Sequence, residues 1–275
     1  MSNIHATAIV HKSAKIGNNV VIGPYCILNS AEIVLEDDVE IKSHVTIEGN
    51  VTVGKGSKIA SFATLGAPTT NLAFRGETTF VEIGKNCDIR EYVSINSSCG
   101  EGTKVRVGDN CLLMPYSFVA HNCVVGNNVI MTNGATLAGH VTVGDFVILG
   151  GLCAIAQKLR IGDHAMVGGG SMVVLDIPPY AICSGYPCKV SCLNIVGMKR
   201  RNFPASIQRS LAKAFRITYK MGLKWADARE QILETIPQSD PIDNWIAFCS
   251  SSKKGLAPYR KEILVEGAEK SFSAT

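Results

Sequence analysis

An apolar residue recurs at every sixth position over much of this 275-residue chain. The fifth residue of each six-residue unit is small or β-branched, and glycine often follows the first. An α-helix repeats every 3.6 residues, so this period excludes a helix and favours a short strand followed by a turn. In the longest unbroken run, the first residues of the units are Val107, Leu113, Val119, Val125, Met131, Leu137, Val143, Leu149, Ile155, Ile161, Val167 and Val173.

Three such units make one triangular coil of about 18 residues, and successive coils stack on one another. The first and fifth residues of each unit then face a narrow interior, where only small side chains fit. This agrees with 26 glycines and an aromatic content of only 7%. The sequence therefore predicts a mainly β fold, a parallel β-helix built from six-residue repeats.

Two stretches interrupt the period, at 66–80 and 97–104, and we expect both to protrude as loops. The period stops after Pro178 and Pro179, and helical spacing follows. The first predicted helix begins at Asn202–Pro204, the second covers Trp225 to Ile236, and the third runs from Asp240 to near Gly255. We therefore expect a β-helix domain at 1–191 and a C-terminal α-helical domain at 192–275.

The cysteines follow the same period. Cys183, Cys188 and Cys192 come after the repeat, lack a nearby histidine and match zinc-site spacings poorly. We therefore expect no metal site and no disulfide framework. Six occupy the inward fifth place and are expected to pack as small hydrophobes: Cys26, Cys87, Cys99, Cys111, Cys123 and Cys153.

Charge is unevenly distributed along the chain. Residues 192–275 contain 14 Lys and Arg against 8 Asp and Glu, whereas residues 1–191 contain 13 against 15. The basic part favours an acidic partner or a phosphate-bearing ligand, with a solvated helical face as the alternative. The longest apolar run, 146–156, is too short to span a membrane, and the first ten residues do not resemble a signal peptide. We expect a cytoplasmic protein.

Polar groups gather on one outer edge of the predicted coil. His121 is the third residue of its unit, and His140 is the fourth of the unit that begins 18 residues later. Turns occupy these places, so both imidazoles should face outward. The repeat places His121, Gly139 and Gln157 in one column, and Asn122, His140 and Lys158 in the next. The edge is either a catalytic site or a solvent-exposed coincidence. Zinc is disfavoured because no third ligand accompanies the two histidines.

Several segments resemble the UDP-N-acetylglucosamine 3-O-acyltransferases of lipid A biosynthesis, a family of hexapeptide-repeat transferases. The resemblance covers most of the chain and implies that the β-helix is left-handed, which spacing alone does not establish. The segments that carry it are 118–126 (FVAHNCVVG), 133–141 (NGATLAGHV), 166–170 (MVGGG), 176–180 (DIPPY) and 193–201 (LNIVGMKRR).

The resemblance implies transfer of a fatty acyl chain from acyl carrier protein to the 3-hydroxyl of UDP-N-acetylglucosamine. By resemblance His121 is the general base, and the N–H of Gly139 stabilises the oxyanion. The remaining implied substrate-binding residues are Asn71, Arg75, Gly76, Asn122, His140, Gln157, Asn194, Arg200 and Arg201. The family also implies a homotrimer with sites between subunits and no bound cofactor. We expect no nucleic-acid partner.

Six positions depart from the family pattern. Asn122 replaces an Asp, which removes a carboxylate that would orient the imidazole of His121. The others are Asn71, Ala73, Phe118, Ala156 and Val196, where Asp, Lys, His, His and Glu are usual. Three other functions stay open. They are an N-acyltransferase of the same pathway, which normally carries an extra N-terminal domain, a small-molecule acetyltransferase that uses coenzyme A, which fits the long helical tail less well, and a catalytically silent β-helix scaffold.

Overall fold

The computed structural model describes residues 2–30 and 32–260. Within these ranges, 28 short strands form three sheets and four helices follow them. The first sheet contains β1 (Asn3–Ile4), β4 (Val21–Ile22), β7 (Glu40–Ile41), β10 (Lys58–Ile59), β13 (Asp88–Ile89), β16 (Leu112–Leu113), β19 (Ile130–Met131), β22 (Ile148–Leu149), β25 (Met166–Val167), β27 (Ala181–Ser184) and β28 (Lys189–Leu193). The second contains β2 (Ile9–Val10), β5 (Ile27–Leu28), β8 (Thr46–Ile47), β11 (Thr64–Ala67), β14 (Ser94–Asn96), β17 (Phe118–Val119), β20 (Thr136–Leu137), β23 (Ala154–Ile155) and β26 (Met172–Val173). The third contains β3 (Lys15–Ile16), β6 (Val34–Leu35), β9 (Asn50–Val53), β12 (Phe80–Ile83), β15 (Lys104–Val107), β18 (Val124–Val125), β21 (Thr142–Val143) and β24 (Arg160–Ile161).

Within β1–β26, strands three places apart along the chain pair in parallel, as the six-residue period predicts. Phe118 pairs with Thr136, and Thr136 pairs with Ala154, which confirms the 18-residue coil. After that, β27 pairs in parallel with β25, and among the described strands only β28 runs antiparallel, against β27. Many corner residues have a positive φ, including Asn122 at 58° and His140 at 61°. The chain therefore turns at each corner through the left-handed region, which asparagine adopts more readily than most residues.

The first and fifth residues of the units fill the interior, as predicted. The exceptions lie at the N-terminal end of the coil, where no described coil covers the interior: Ile4 is 43% exposed, and Val10, Ala14 and Ile16 are half-buried. Five of the six repeat cysteines are buried. The prediction for Cys99 is wrong: it is only half-buried, because residues 97–103 form a loop between β14 and β15. The second predicted loop is also present, at 68–79 between β11 and β12.

The helical part differs from the prediction in two places. A short helix, α1 (Ile195–Arg200), was not expected, and the last helix, α4 (Asp240–Ser250), ends before Gly255. It ends there because residues 255–257 leave the helix and hydrogen-bond to the backbone of Asp176. The other two predicted helices are present as α2 (Ala205–Lys220) and α3 (Trp225–Thr235).

The expected domain boundary between residues 191 and 192 falls within β28, so strand pairing continues across it. Residues 261–275 of the expected helical domain lie outside the described residues. Within the described residues, no helix is both long and apolar enough to cross a membrane.

Candidate active site

The predicted site residues fall on two different corners of the prism. Residues 120–123, 138–141 and 156–159 connect the second sheet to the third, and we call this edge the histidine corner. Residues 144–147 and 162–165 connect the third sheet to the first. Arg201 packs on this second edge, over the ring of Phe146, so we call it the arginine corner. The third sheet separates the two corners.

His121 is held between two side-chain amides. Its Nδ1 lies 2.8 Å from Oδ1 of Asn122, and its Nε2 lies 3.2 Å from Nδ2 of Asn71. An amide oxygen only accepts, so Nδ1 carries the proton and donates it to Asn122. Nε2 is then unprotonated and accepts from Asn71. The site therefore holds a neutral imidazole whose basic nitrogen faces the loop between β11 and β12.

Backbone contacts fix the orientation of both amides. The Nδ2 of Asn122 donates to the carbonyl of Cys99 at 3.0 Å, and its Oδ1 accepts from the N–H of Cys99 at 3.2 Å. The Oδ1 of Asn71 accepts from the N–H of Ala73 at 2.9 Å, which leaves Nδ2 directed at His121. Asn122 therefore does orient the imidazole, although the sequence suggested that its orienting group was lost. Sequence reasoning missed Cys99, whose contribution is made by its backbone.

Gly139 lies next to the ring of His121, one coil along. A Cβ atom at position 139 would collide with Cε1 and Nε2 of the imidazole and lie 3.1 Å from Cδ2. Its carbonyl accepts from the N–H of Lys158 at 3.0 Å, whereas its own N–H donates to no group among the described residues. A backbone donor beside Nε2 is thus available to a bound molecule.

His140 is the second imidazole of the edge. Its ring packs edge-on against that of His121, with centroids 5.1 Å apart. Burial, and then the neighbouring His121 and Lys158, lower the pKa of His140 below its ordinary value. It is therefore neutral near pH 7 and suited to hydrogen bonding. Gln157 and Lys158 follow on the next coil with exposed side chains, as the repeat predicts.

The loop between β11 and β12 brings Asn71 to the imidazole but directs Arg75 elsewhere. The Nη1 of Arg75 donates to the carbonyls of Leu72 and Phe74 at 2.6 and 3.0 Å, so the guanidinium folds back on its own loop. Gly76 has a φ of +91° and nothing within 4 Å of its Cβ direction. Its need for glycine is therefore conformational, since most other residues avoid this φ.

Three predicted substrate-binding residues lie away from His121 in the same chain. Asn194 is 4% exposed and caps α1: its Oδ1 accepts from the N–H of Gly197, and its Nδ2 donates to the carbonyl of His164. Arg200 ends α1 exposed to solvent, and Arg201 lies against the arginine corner. Burial, and then Arg200, lower the pKa of Arg201 from its usual value. One chain does not bring these groups to the histidine corner.

No group of three or more His, Cys, Asp or Glu side chains suited to hold a metal ion occurs in the part of the chain that the structure describes.

Comparison with known families agrees with both parts of the fold. The family model described as UDP N-acetylglucosamine O-acyltransferase, domain 2, matches residues 176–257. The bacterial transferase hexapeptide model, which covers six repeats, matches residues 32–67 and 104–139. The second match includes His121 and Gly139.

Solved structures resemble the chain along nearly all of its length. LpxA from Acinetobacter baumannii superposes with a TM-score of 0.89 at 34% identity, covering 92% of this chain and 99% of that one. The UDP-N-acetylglucosamine acyltransferase of Francisella novicida gives 0.90 at 29% identity, covering 99% and 100%. The fold is thus a left-handed parallel β-helix of hexapeptide repeats with C-terminal helices, as the resemblance implied.

Curated relatives carry the same enzyme name. The chain is 42% identical over 258 residues to the acyl-[acyl-carrier-protein]–UDP-N-acetylglucosamine O-acyltransferase of Thermodesulfovibrio yellowstonii, covering 93% of this chain and 99% of the relative. It is 46% identical over 257 residues to the enzyme of that name from Chlamydia pneumoniae, covering 93% and 92%. The chain therefore belongs to the family of acyl-[acyl-carrier-protein]–UDP-N-acetylglucosamine O-acyltransferases.

Proposed function

We propose that the protein transfers a fatty acyl chain from acyl carrier protein to the 3-hydroxyl of UDP-N-acetylglucosamine in lipid A biosynthesis, with His121 as general base. The observation that carries this proposal is the unprotonated Nε2 of His121 beside Gly139, whose N–H donates to no group in the described part of the chain. Acyl transfer needs both groups: a base for the hydroxyl proton and a donor for the developing oxyanion.

The reaction follows from this arrangement. Nε2 of His121 takes the proton of the sugar 3-hydroxyl as that oxygen bonds to the thioester carbonyl carbon. The carbonyl oxygen becomes an oxyanion and accepts from the N–H of Gly139. When the intermediate collapses, the carbon–sulfur bond breaks, and the imidazolium returns its proton to the leaving thiolate. General-base catalysis contributes about 10²–10⁴ in rate, and an oxyanion donor about 3 kcal/mol.

Asn71 and Asn122 have different parts in this step. Asn122 is uncharged, but by accepting from Nδ1 of His121 it fixes the tautomer in which Nε2 is the basic nitrogen. Asn71 donates to Nε2, so the sugar hydroxyl must replace its Nδ2 there. We assign Asn71 to the part of the site that binds the sugar, which is the acyl acceptor, together with Arg75 and Gly76 of the same loop. His140 and Gln157 continue the same edge toward the sugar and nucleotide.

We further propose that the working protein is a homotrimer. Arg200 and Arg201 are suited to bind the diphosphate, because guanidinium groups contact phosphate bidentately. They lie near the arginine corner, across the third sheet from His121. A neighbouring copy supplies them to the histidine corner if the sites lie between subunits. Asn194 then acts indirectly, by capping the helix that carries both arginines.

The test is the reaction itself. Purified protein is incubated with UDP-N-acetylglucosamine and acyl carrier proteins loaded with chains of different length, and the product is analysed for an ester at O3. His121→Ala should reduce kcat by about 10²–10⁴-fold. His11→Ala is the matched control, because His11 lies on the same edge near the first coil and should leave kcat unchanged. Near-normal turnover in His121→Ala, or transfer only to an amino sugar, contradicts the proposal.

A further inference from the structure

A basic pocket lies on the same edge of the prism as His121. It has a volume of about 380 Å³ and is lined by Lys158, Arg160, Asp176, Ser251, Lys253 and Lys254. Lys158 belongs to the histidine corner, and Arg160 begins β24 just after it. Lys253 and Lys254 follow α4. The helical part and the β-helix thus form this pocket together. The catalytic and substrate-binding residues implied by the family resemblance do not include the residues that line it.

One side of the pocket is rigid and already neutralised. The carboxylate of Asp176, which is 1% exposed, accepts from the backbone N–H of Arg160 at 2.9 Å and from its guanidinium at 3.3 Å. Ser252 donates to the same carboxylate at 2.8 Å. Arg160 also donates to the carbonyl of Phe248 near the end of α4, at 3.1 Å. The Arg160–Asp176 pair therefore fixes the helical part against the coil and leaves no net charge of its own.

Three lysines in the pocket remain unneutralised. None of Lys158, Lys253 and Lys254 has a carboxylate within ion-pair distance among the described residues. Their side chains are exposed at the mouth of one concave surface, so their like charges repel one another. A multivalent anion relieves that repulsion and is attracted by the summed field. The chemistry of the pocket favours a phosphate group.

The position of the pocket relates it to the reaction. The N–H of His140 donates to the carbonyl of His121, and that of Lys158 donates to the carbonyl of Gly139, each at 3.0 Å. Lys158 therefore lies two coils beyond Asn122, or about 10 Å at the usual spacing of paired strands. A pantetheine arm spans about 15 Å when extended. A substrate that reacts at His121 can therefore place a phosphate in the basic pocket.

We propose that the basic pocket binds a phosphate group of a substrate during acyl transfer. The inference rests on the proposed function, in which both substrates carry phosphate. The group comes either from the 4′-phosphopantetheine of the donor or from the diphosphate of the nucleotide sugar, which the pocket would then share with Arg200 and Arg201 of the neighbouring copy. The pocket contributes ground-state binding, because its lysines lie too far from the reacting atoms to touch them.

The test uses Lys253→Gln/Lys254→Gln in the full chain. We expect KM to rise about fivefold for the substrate whose phosphate binds there, because the variant loses two exposed ion pairs, each of which contributes modestly to binding. The kcat value should stay within about twofold. Acyl-phosphopantetheine is compared with acyl-pantetheine, which lacks the phosphate, and UDP-N-acetylglucosamine is varied separately. If the donor phosphate binds, the variant loses the preference for the phosphorylated arm; if the diphosphate binds, KM rises for the nucleotide sugar.

The matched control is Lys12→Gln/Lys85→Gln, which removes the same charge from two exposed lysines outside the pocket. A similar rise in KM in this control shows a bulk charge effect and overturns the proposal. An unchanged KM for every substrate overturns it as well. So does a rise seen only with the intact carrier protein, because the pocket then recognises the protein's carboxylates.

A binding measurement separates this proposal from the proposed function. Titration calorimetry with 4′-phosphopantetheine and with UDP requires no turnover. Binding of one of them to the wild type should weaken about fivefold in the pocket variant and weaken further with added salt. Equal affinity in both proteins refutes the pocket even if the enzyme is active. Absence of ester formation by the wild type refutes the proposed function and leaves the calorimetric result to decide the pocket.

Discussion

Replacing Gly139 with alanine tests the geometry of the active site with a single methyl group. The new Cβ would overlap Cε1 and Nε2 of His121, the part of the ring proposed to take the proton. The backbone at 139 is not in the left-handed region, so alanine adopts it without strain. Gly139→Ala should therefore leave the thermal midpoint nearly unchanged, since the neighbour that must move is one side chain.

The expected loss of activity follows from the required movement of the ring. To reach ordinary van der Waals distance, the imidazole must move by about 1 Å, and a displacement of that size costs about 10² in rate. It also lengthens the 2.8 Å bond to Asn122 and the 3.2 Å bond to Asn71, which fix the tautomer. We expect kcat to fall about 100-fold or more, up to the full contribution of the base.

Three measurements decide this prediction. Gly151→Ala is the control, because a Cβ there lies 3.5 Å from its nearest neighbour, an ordinary contact; it should retain wild-type kcat. The substitution of Gly139 is then repeated in His121→Ala, where no ring remains to collide. There it should cost little, because the two changes act through one group. A folded Gly139→Ala variant with more than about a third of wild-type kcat refutes the reasoning, and so do additive losses.

Three further predictions concern charge and stability. Asn122→Asp should move the acidic limb of kcat/KM to higher pH by about one unit, because a carboxylate beside His121 favours imidazolium. Burial lowers the pKa of His164, so the folded state loses stability as the pH falls through the ordinary histidine range. In His164→Phe, the thermal midpoints measured at about pH 7 and pH 5 should therefore differ less than they do in the wild type. Asp176→Ala should cost about 3 kcal/mol in denaturant unfolding, because it leaves Arg160 half-buried without its partner.

The coil was predictable because its rule is local and repeats. Each six-residue unit decides its own strand and turn, so the period alone placed His121, Gly139 and Gln157 in one column. Interruptions of the period marked both loops for the same reason. The short helix α1 was not predictable in this way. It has six residues, includes Gly197, and depends on the buried side chain of Asn194 for its N-cap.

The contacts that complete the site could not be predicted from the sequence, because they join units across insertions. Asn122 reaches the backbone of Cys99, 23 residues earlier, only because residues 97–103 leave the coil. The same insertion moves Cys99 out of the interior place that the period gave it. From the sequence, Asn122 in place of Asp suggests that the group orienting His121 is lost. In the folded chain its amide accepts from His121 and is itself held by the loop.

The separation of the two corners leads to a prediction about assembly. His121 and Arg201 lie on opposite edges of the third sheet, so one substrate contacts both only if a second copy supplies one of them. His121→Ala and Arg201→Ala should each be nearly inactive alone. When the two variants are unfolded together and refolded as mixed oligomers, a site is intact if its histidine and its arginine come from different variants. Random mixing in a cyclic oligomer makes about a quarter of the sites intact, so about that fraction of wild-type activity should return. No recovery in mixed oligomers, confirmed as such by native mass spectrometry, places both residues of a working site in one chain and refutes the intersubunit arrangement.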